Sequence, residues 1–104
     1  MTRLAFKMKL FAGQEEVYKR RHDELWPELQ SLLKGSGISD YSIFLDKNDN
    51  TLFGVLQIED PSVMAKLPQE PVMQKWWAYM ADIMETNADQ SPISIPLEEV
   101  FYLP

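Results

Sequence analysis

The sequence predicts an α+β fold of the ferredoxin-like type, one sheet built in the order β-α-β-β-α-β with its helices on a single face. Three observations carry this expectation. Segments with a two-residue apolar period alternate along the chain with segments of helical period. Lys47-Asn48-Asp49 reads as a hairpin turn joining two strands directly. Prolines or glycines stand where the helices should start or stop. The 104 residues suit a single domain covering residues 1–104.

Arg3 to Phe11 forms the first strand in this reading. Leu4, Phe6, Met8 and Leu10 point one way, while Arg3, Ala5, Lys7 and Lys9 point the other. Gly13 ends it. From Gln14 to Lys34 the period becomes helical, with Val17, Leu25, Trp26, Leu29, Leu32 and Leu33 in the apolar stripe and Gly35 and Gly37 as the stop. Pro27 lies inside this stretch. It has no N–H for the carbonyl of Asp23 and its ring crowds that turn, so the helix should restart near Pro27. Strands are expected at Ile38–Asp46 and Asn50–Glu59, the first with Tyr41, Ile43 and Leu45 on one face. Asp60-Pro61 has the form of an N-cap and first helical residue and opens a short helix to about Leu67. A longer helix should run from Pro71 to about Met84, striped by Val72, Met73, Trp76, Trp77, Met80, Ile83 and Met84. Thr86 to Pro96 is a polar connection, and Leu97 to Leu103 is expected as the last strand.

The helices of such a fold cover one sheet face, yet the last three strands carry apolar residues on both. An uncovered face holding Phe53, Val55 and Val100, or their opposite set, calls for a partner sheet. Pairing of two copies face to face would bury it, which predicts a symmetric homodimer.

Composition narrows the function. The chain is 45% hydrophobic and 25% charged, as folded proteins are. Its net charge of −6 disfavours non-specific binding to nucleic acid or to an anionic membrane. It has no cysteine, hence no disulfide framework, thiol nucleophile or thiolate metal site. With one histidine, a zinc site would rest almost wholly on carboxylates, so neither metal nor cofactor is expected. Apolar runs fall far short of the roughly 20 residues of a membrane span. A cytoplasmic setting is the expectation.

Five side chains stand out as candidates for chemistry. His22 is the only side chain whose ordinary pKa lies near neutrality. Tyr18 precedes it by four residues, on the same helix face and about 5–6 Å away at Cβ. The plain alternative for His22 is a surface histidine in the charged run Lys19 to Glu24. Trp76 and Trp77 diverge by about 100° around their helix, so one can fill the core while the other lines a cavity. Both can also be core. Flat aromatic faces suit the C–H face of a sugar, with hydroxyls taken by Tyr and His. Tyr41 matters only if it faces the helices. Asp46, Asp82 and Glu24 are candidates for orienting the histidine, or are solvated charges. No nucleophile elbow or phosphate-binding glycine loop is present.

The runs YKRRHDELWPEL at Tyr18–Leu29, DYSIFLDK at Asp40–Lys47, QKWWAYMADIM at Gln74–Met84 and EVFYLP at Glu99–Pro104 resemble those of the L-rhamnose mutarotase family. The resemblance spans essentially the whole chain, with Ser62–Val72 its weakest part. It implies a dimeric α/β barrel of ferredoxin-like protomers and interconversion of the α and β anomers of L-rhamnopyranose without cofactor. Carried over by position, His22 is the proton donor, and Tyr18, Tyr41, Trp76 and Trp77 contact the sugar. Two alternatives use the same dimeric barrel: a cofactor-independent monooxygenase, or a non-catalytic module that binds a small ligand.

Overall fold

The computed structural model describes residues 1–104 and contains four strands and three α-helices. They are β1 (Thr2–Lys9), α1 (Glu15–Asp23), α2 (Pro27–Gly35), β2 (Ile38–Asp46), β3 (Thr51–Ile58), α3 (Pro71–Met80) and β4 (Ile95–Leu97). Two 3₁₀ turns, Pro61–Ala65 and Leu67–Gln69, replace the expected short helix. Asp60 caps the first of them, its carboxylate accepting from the Ser62 N–H at 3.0 Å.

The sheet order is β2-β3-β1-β4, every neighbouring pair antiparallel. The helical connections join strands separated by one other strand, as a split β-α-β unit requires. The expected restart occurs where proline dictates. Trp26, immediately before Pro27, is extended at φ −60° and ψ 132°, and its carbonyl accepts the first bond of α2 from the Gln30 N–H at 3.0 Å.

The inner sheet face carries Met8, Leu10, Leu52, Leu56 and Ile58, all buried. Phe6 pairs with Gly54, and its ring lies where a Cβ on Gly54 would come within 2.5 Å of it. Only glycine fits there. Against this face pack Tyr18 of α1, Leu29 of α2, and Met73, Trp76 and Met80 of α3. A smaller cluster of Ile38, Leu56, Ile58 and Leu67 closes one end. Only 15 of 104 residues are buried, because the layer between sheet and helices opens into a cavity.

Two further expectations are corrected. The last strand is not Leu97–Leu103 but Ile95–Leu97, pairing with Ala5–Lys7 of β1. In that register the next residue, Glu98, would sit opposite Leu4 on the apolar inner face, where an unpaired carboxylate is strongly disfavoured. The chain therefore leaves the sheet, and Val100, Phe101 and Leu103 are exposed. Likewise α3 ends at Met80 rather than Met84. The Ile83 N–H bonds the Met80 carbonyl in a turn, and Met84 pairs with Leu10 as an isolated bridge. Ile83 and Met84 remain buried, so the stripe was core although its end is not helical.

Candidate active site

The cavity lies between the inner sheet face and the helices and has a volume of about 1090 Å³. His22, Tyr18, Tyr41, Trp76 and Trp77 all line it, and the same five line an adjoining recess of about 70 Å³. The structure thus brings these five side chains to one place, while Asp46, Asp82 and Glu24 are not among the lining residues.

Each arrives there for a local reason. Tyr18 and His22 are one turn apart on α1, and their rings lie 4.3 Å apart, tilted by 32°. Tyr41 owes its direction to an irregularity in β2. Ile38 faces inward opposite Ile58, and Ile43 faces inward opposite Gly54. Five positions separate them, so plain alternation would send one of them out. The register shifts between Ser39 and Ser42, with Asp40 at φ 50°, and this puts Tyr41, Ile43 and Leu45 on the inner face. The Tyr41 ring packs edge-on to Phe6 at 6.2 Å. On α3 the two tryptophans divide as helix geometry requires. Trp76 is 5% exposed within the core, whereas Trp77 is half-buried at the cavity wall.

The electrostatics favour a neutral imidazole with one free nitrogen. His22 Nδ1 stands 2.9 Å from the Tyr18 carbonyl oxygen. A carbonyl only accepts, so Nδ1–H donates and, in the neutral ring, Nε2 keeps its lone pair. Burial lowers the His22 pKa from its ordinary 6.5, against the smaller opposing pulls of the Tyr18 carbonyl and Asp23. Trp76 meets the imidazole edge-on at 5.4 Å. Burial raises the Tyr18 phenol well above its usual value, and the nearby Tyr41 adds to this. Desolvation likewise pushes the Tyr41 phenol up, to about 12. Both tyrosines are therefore phenols at neutral pH, able to donate a hydrogen bond but not to act as bases. No group of three or more His, Asp or Glu side chains stands together as a metal site would need.

This arrangement suits proton exchange on a small hydroxylated ring: one titratable nitrogen, two hydroxyl donors and indole walls. Comparison with known proteins decides the family. The L-rhamnose mutarotase family model matches residues 3–103. The chain belongs to the L-rhamnose mutarotase family. Members of this family are isomerases that interconvert anomers. The chain is 59% identical to an L-rhamnose mutarotase of Brucella anthropi over 102 residues, covering 98% of this chain and 96% of the relative. It is 58% identical to one from Sinorhizobium fredii over 103 residues, covering 99% of each. It also resembles the crystal structure of the L-rhamnose mutarotase of Formosa agariphila, with a TM-score of 0.93, 54% identity and full coverage of both chains. These relatives support the mutarotase reading and neither of the two alternatives.

Sequence reasoning missed the aromatic and ionic groups behind the site. Trp26 meets Trp76 edge-on at 5.0 Å, and Tyr79 lies 5.5 Å from Trp26 and 5.7 Å from Trp76. Trp26 was legible as part of the apolar stripe but not as the backing of Trp76. Asp82 does not reach the histidine. It pairs instead with Arg21, at 2.9 Å and 3.2 Å.

Proposed function

We propose that the chain interconverts the α and β anomers of L-rhamnopyranose by cofactor-free acid–base catalysis, with His22 as the catalytic group. Tyr18, Tyr41, Trp76 and Trp77 contact the sugar. The observation that carries this is the single free nitrogen of His22 in a recess walled by those four residues.

The expected role of proton donor needs one refinement. A neutral imidazole whose Nδ1–H is already committed has no proton at Nε2 to give, so it must take one first. The anomeric hydroxyl supplies it. Nε2 accepts that proton as the bond between the anomeric carbon and the ring oxygen breaks, and the imidazolium returns it to the ring oxygen. Both oxygens are bonded to the same carbon, so one nitrogen between them can serve both. The open aldehyde turns about the bond next to its carbonyl and recloses on the other face by the reverse transfers. No proton is gained or lost overall. The phenols of Tyr18 and Tyr41 orient hydroxyls, and the indoles take the apolar faces and the methyl group of the 6-deoxy sugar. His22→Ala is expected to slow anomer exchange, measured by saturation-transfer NMR, by about 10²–10⁴-fold with the fold retained. A folded variant with the parent rate would end the assignment of His22.

The same reading includes a homodimer in which the outer sheet faces pack together as an α/β barrel. Its support is the exposed apolar residues of the outer face: Phe44 is 61% exposed and Ile95 50%. A cytoplasmic setting accords with a cysteine-free chain. No helix is long and apolar enough to cross a membrane.

A further inference from the structure

The Arg21 side chain ties the helix that carries Tyr18 and His22 to the end of the helix that carries Trp76 and Trp77. Its guanidinium donates to the Tyr79 carbonyl at 2.8 Å and to both Asp82 carboxylate oxygens at 2.9 and 3.2 Å. It also lies over the Tyr79 ring at 4.3 Å. Three features make this more than a surface ion pair. First, the arginine side chain is only 15% exposed, although Asp82 is 65% exposed. Second, the Tyr79 carbonyl is one that α3 leaves without a helical partner, because the Ile83 N–H turns back to Met80 instead. The guanidinium therefore caps α3 from α1, at the end where a cation is favourable. Third, the Tyr79 ring under the guanidinium packs against Trp76, and Trp76 meets the His22 ring edge-on. Arg21 is thus coupled to the imidazole along two routes: through α1, as its chain neighbour, and through Tyr79 and Trp76.

The geometry points to Arg21 as a positioning residue for the isomerase, one that sets the orientation of the His22 imidazole relative to the Trp76 indole. It touches no sugar. A planar guanidinium is the side chain able to fork onto a carboxylate, reach a carbonyl and stack on a ring at once, and an ammonium cannot do all three.

The inference rests on the reading of the cavity as the sugar site, so its test carries a readout that needs no turnover. Arg21→Ala, Arg21→Lys and Asp82→Asn would be compared by folded fraction, by kcat and KM for anomer exchange, and by the ¹⁵N resonances of His22. Arg21→Ala is expected to stay folded and to lose about 10–100-fold in kcat with little change in KM, as misplaced catalytic groups do. Its His22 resonances should move. Arg21→Lys should restore only part of kcat, and Asp82→Asn, which leaves the carbonyl contact and the stack, should lose less than Arg21→Ala. Parent kcat and unmoved His22 resonances in Arg21→Ala would overturn the inference. So would a loss of rate that only follows the folded fraction. If Arg21→Ala does not fold, the other two variants decide by the same criteria. A fully active His22→Ala would instead defeat the site assignment, and the His22 resonances of the arginine variants would still test the positioning.

Discussion

Both faces of the sheet carry apolar side chains that meet different fates, although the outer face also bears Arg3, Lys7 and Lys9. On the inner face, Leu52, Leu56 and Ile58 are at most 1% exposed, covered by helices of their own chain, and the space left beside them is the cavity. On the outer face and along the tail, Phe44, Ile95, Val100, Phe101 and Leu103 are open. The inner face is a core that holds a site. The outer face mixes apolar with basic and polar side chains, and no helix of this chain covers it; of the tail, the Tyr102 ring lies against the Arg3 guanidinium at 4.7 Å. Apolar content alone therefore does not separate packing from assembly; the number of layers the chain can supply does.

The largest contrast is expected from two aromatic truncations. Trp76→Ala removes a buried ring and should destabilise the fold by about 3–5 kcal/mol in denaturant unfolding, with loss of activity. Phe44→Ala should change the stability of the single protomer by at most about 0.5 kcal/mol. If the two variants unfold at the same denaturant concentration, the distinction between the faces fails. Phe44→Glu sharpens the point, since a carboxylate on the outer face should shift the sedimentation of the protein towards monomer while leaving the far-UV circular dichroism unchanged.

Much of this was legible because it follows from short-range rules. Pro27 forces the break between α1 and α2, the Asp46–Asn50 segment turns where the hairpin was expected, and a four-residue helical interval brings Tyr18 to His22. The parts that were not legible depend on residues distant in sequence. Nothing local to Glu98 announces that continuing the strand would set it opposite Leu4, and β4 ends one residue before it. Nothing local to Tyr79 announces that Arg21 will take its carbonyl, 58 residues away. Alternation shows that Tyr41 shares a face with Ile43 and Leu45, but not which face; that depends on the irregularity that re-phases them against Ile38, which is not legible because each half of β2 alternates normally by itself.

Smaller effects test the inner face more finely. Trp77→Ala removes a half-buried wall rather than a core ring, so it should raise KM and cost less stability than Trp76→Ala. Equal losses of stability would show that both indoles are core. The smallest expected effect is on stability against pH. Because burial lowers the His22 pKa, below about 6.5 the unfolded chain binds a proton that the folded chain resists. Stability should therefore fall as pH drops from 6.5 towards the lowered value and stay flat above 6.5, so far as His22 contributes. Replacing His22 by Gln should flatten that slope in thermal unfolding.

The most direct measurement is a ¹⁵N NMR titration of His22 alongside the pH dependence of kcat/KM for anomer exchange. A neutral ring protonated at Nδ1, a pKa below 6.5, and a rate that falls on acidification through that same pKa are the results this account requires. A ring protonated at Nε2 at neutral pH, or a rate indifferent to the titration of His22, would contradict it.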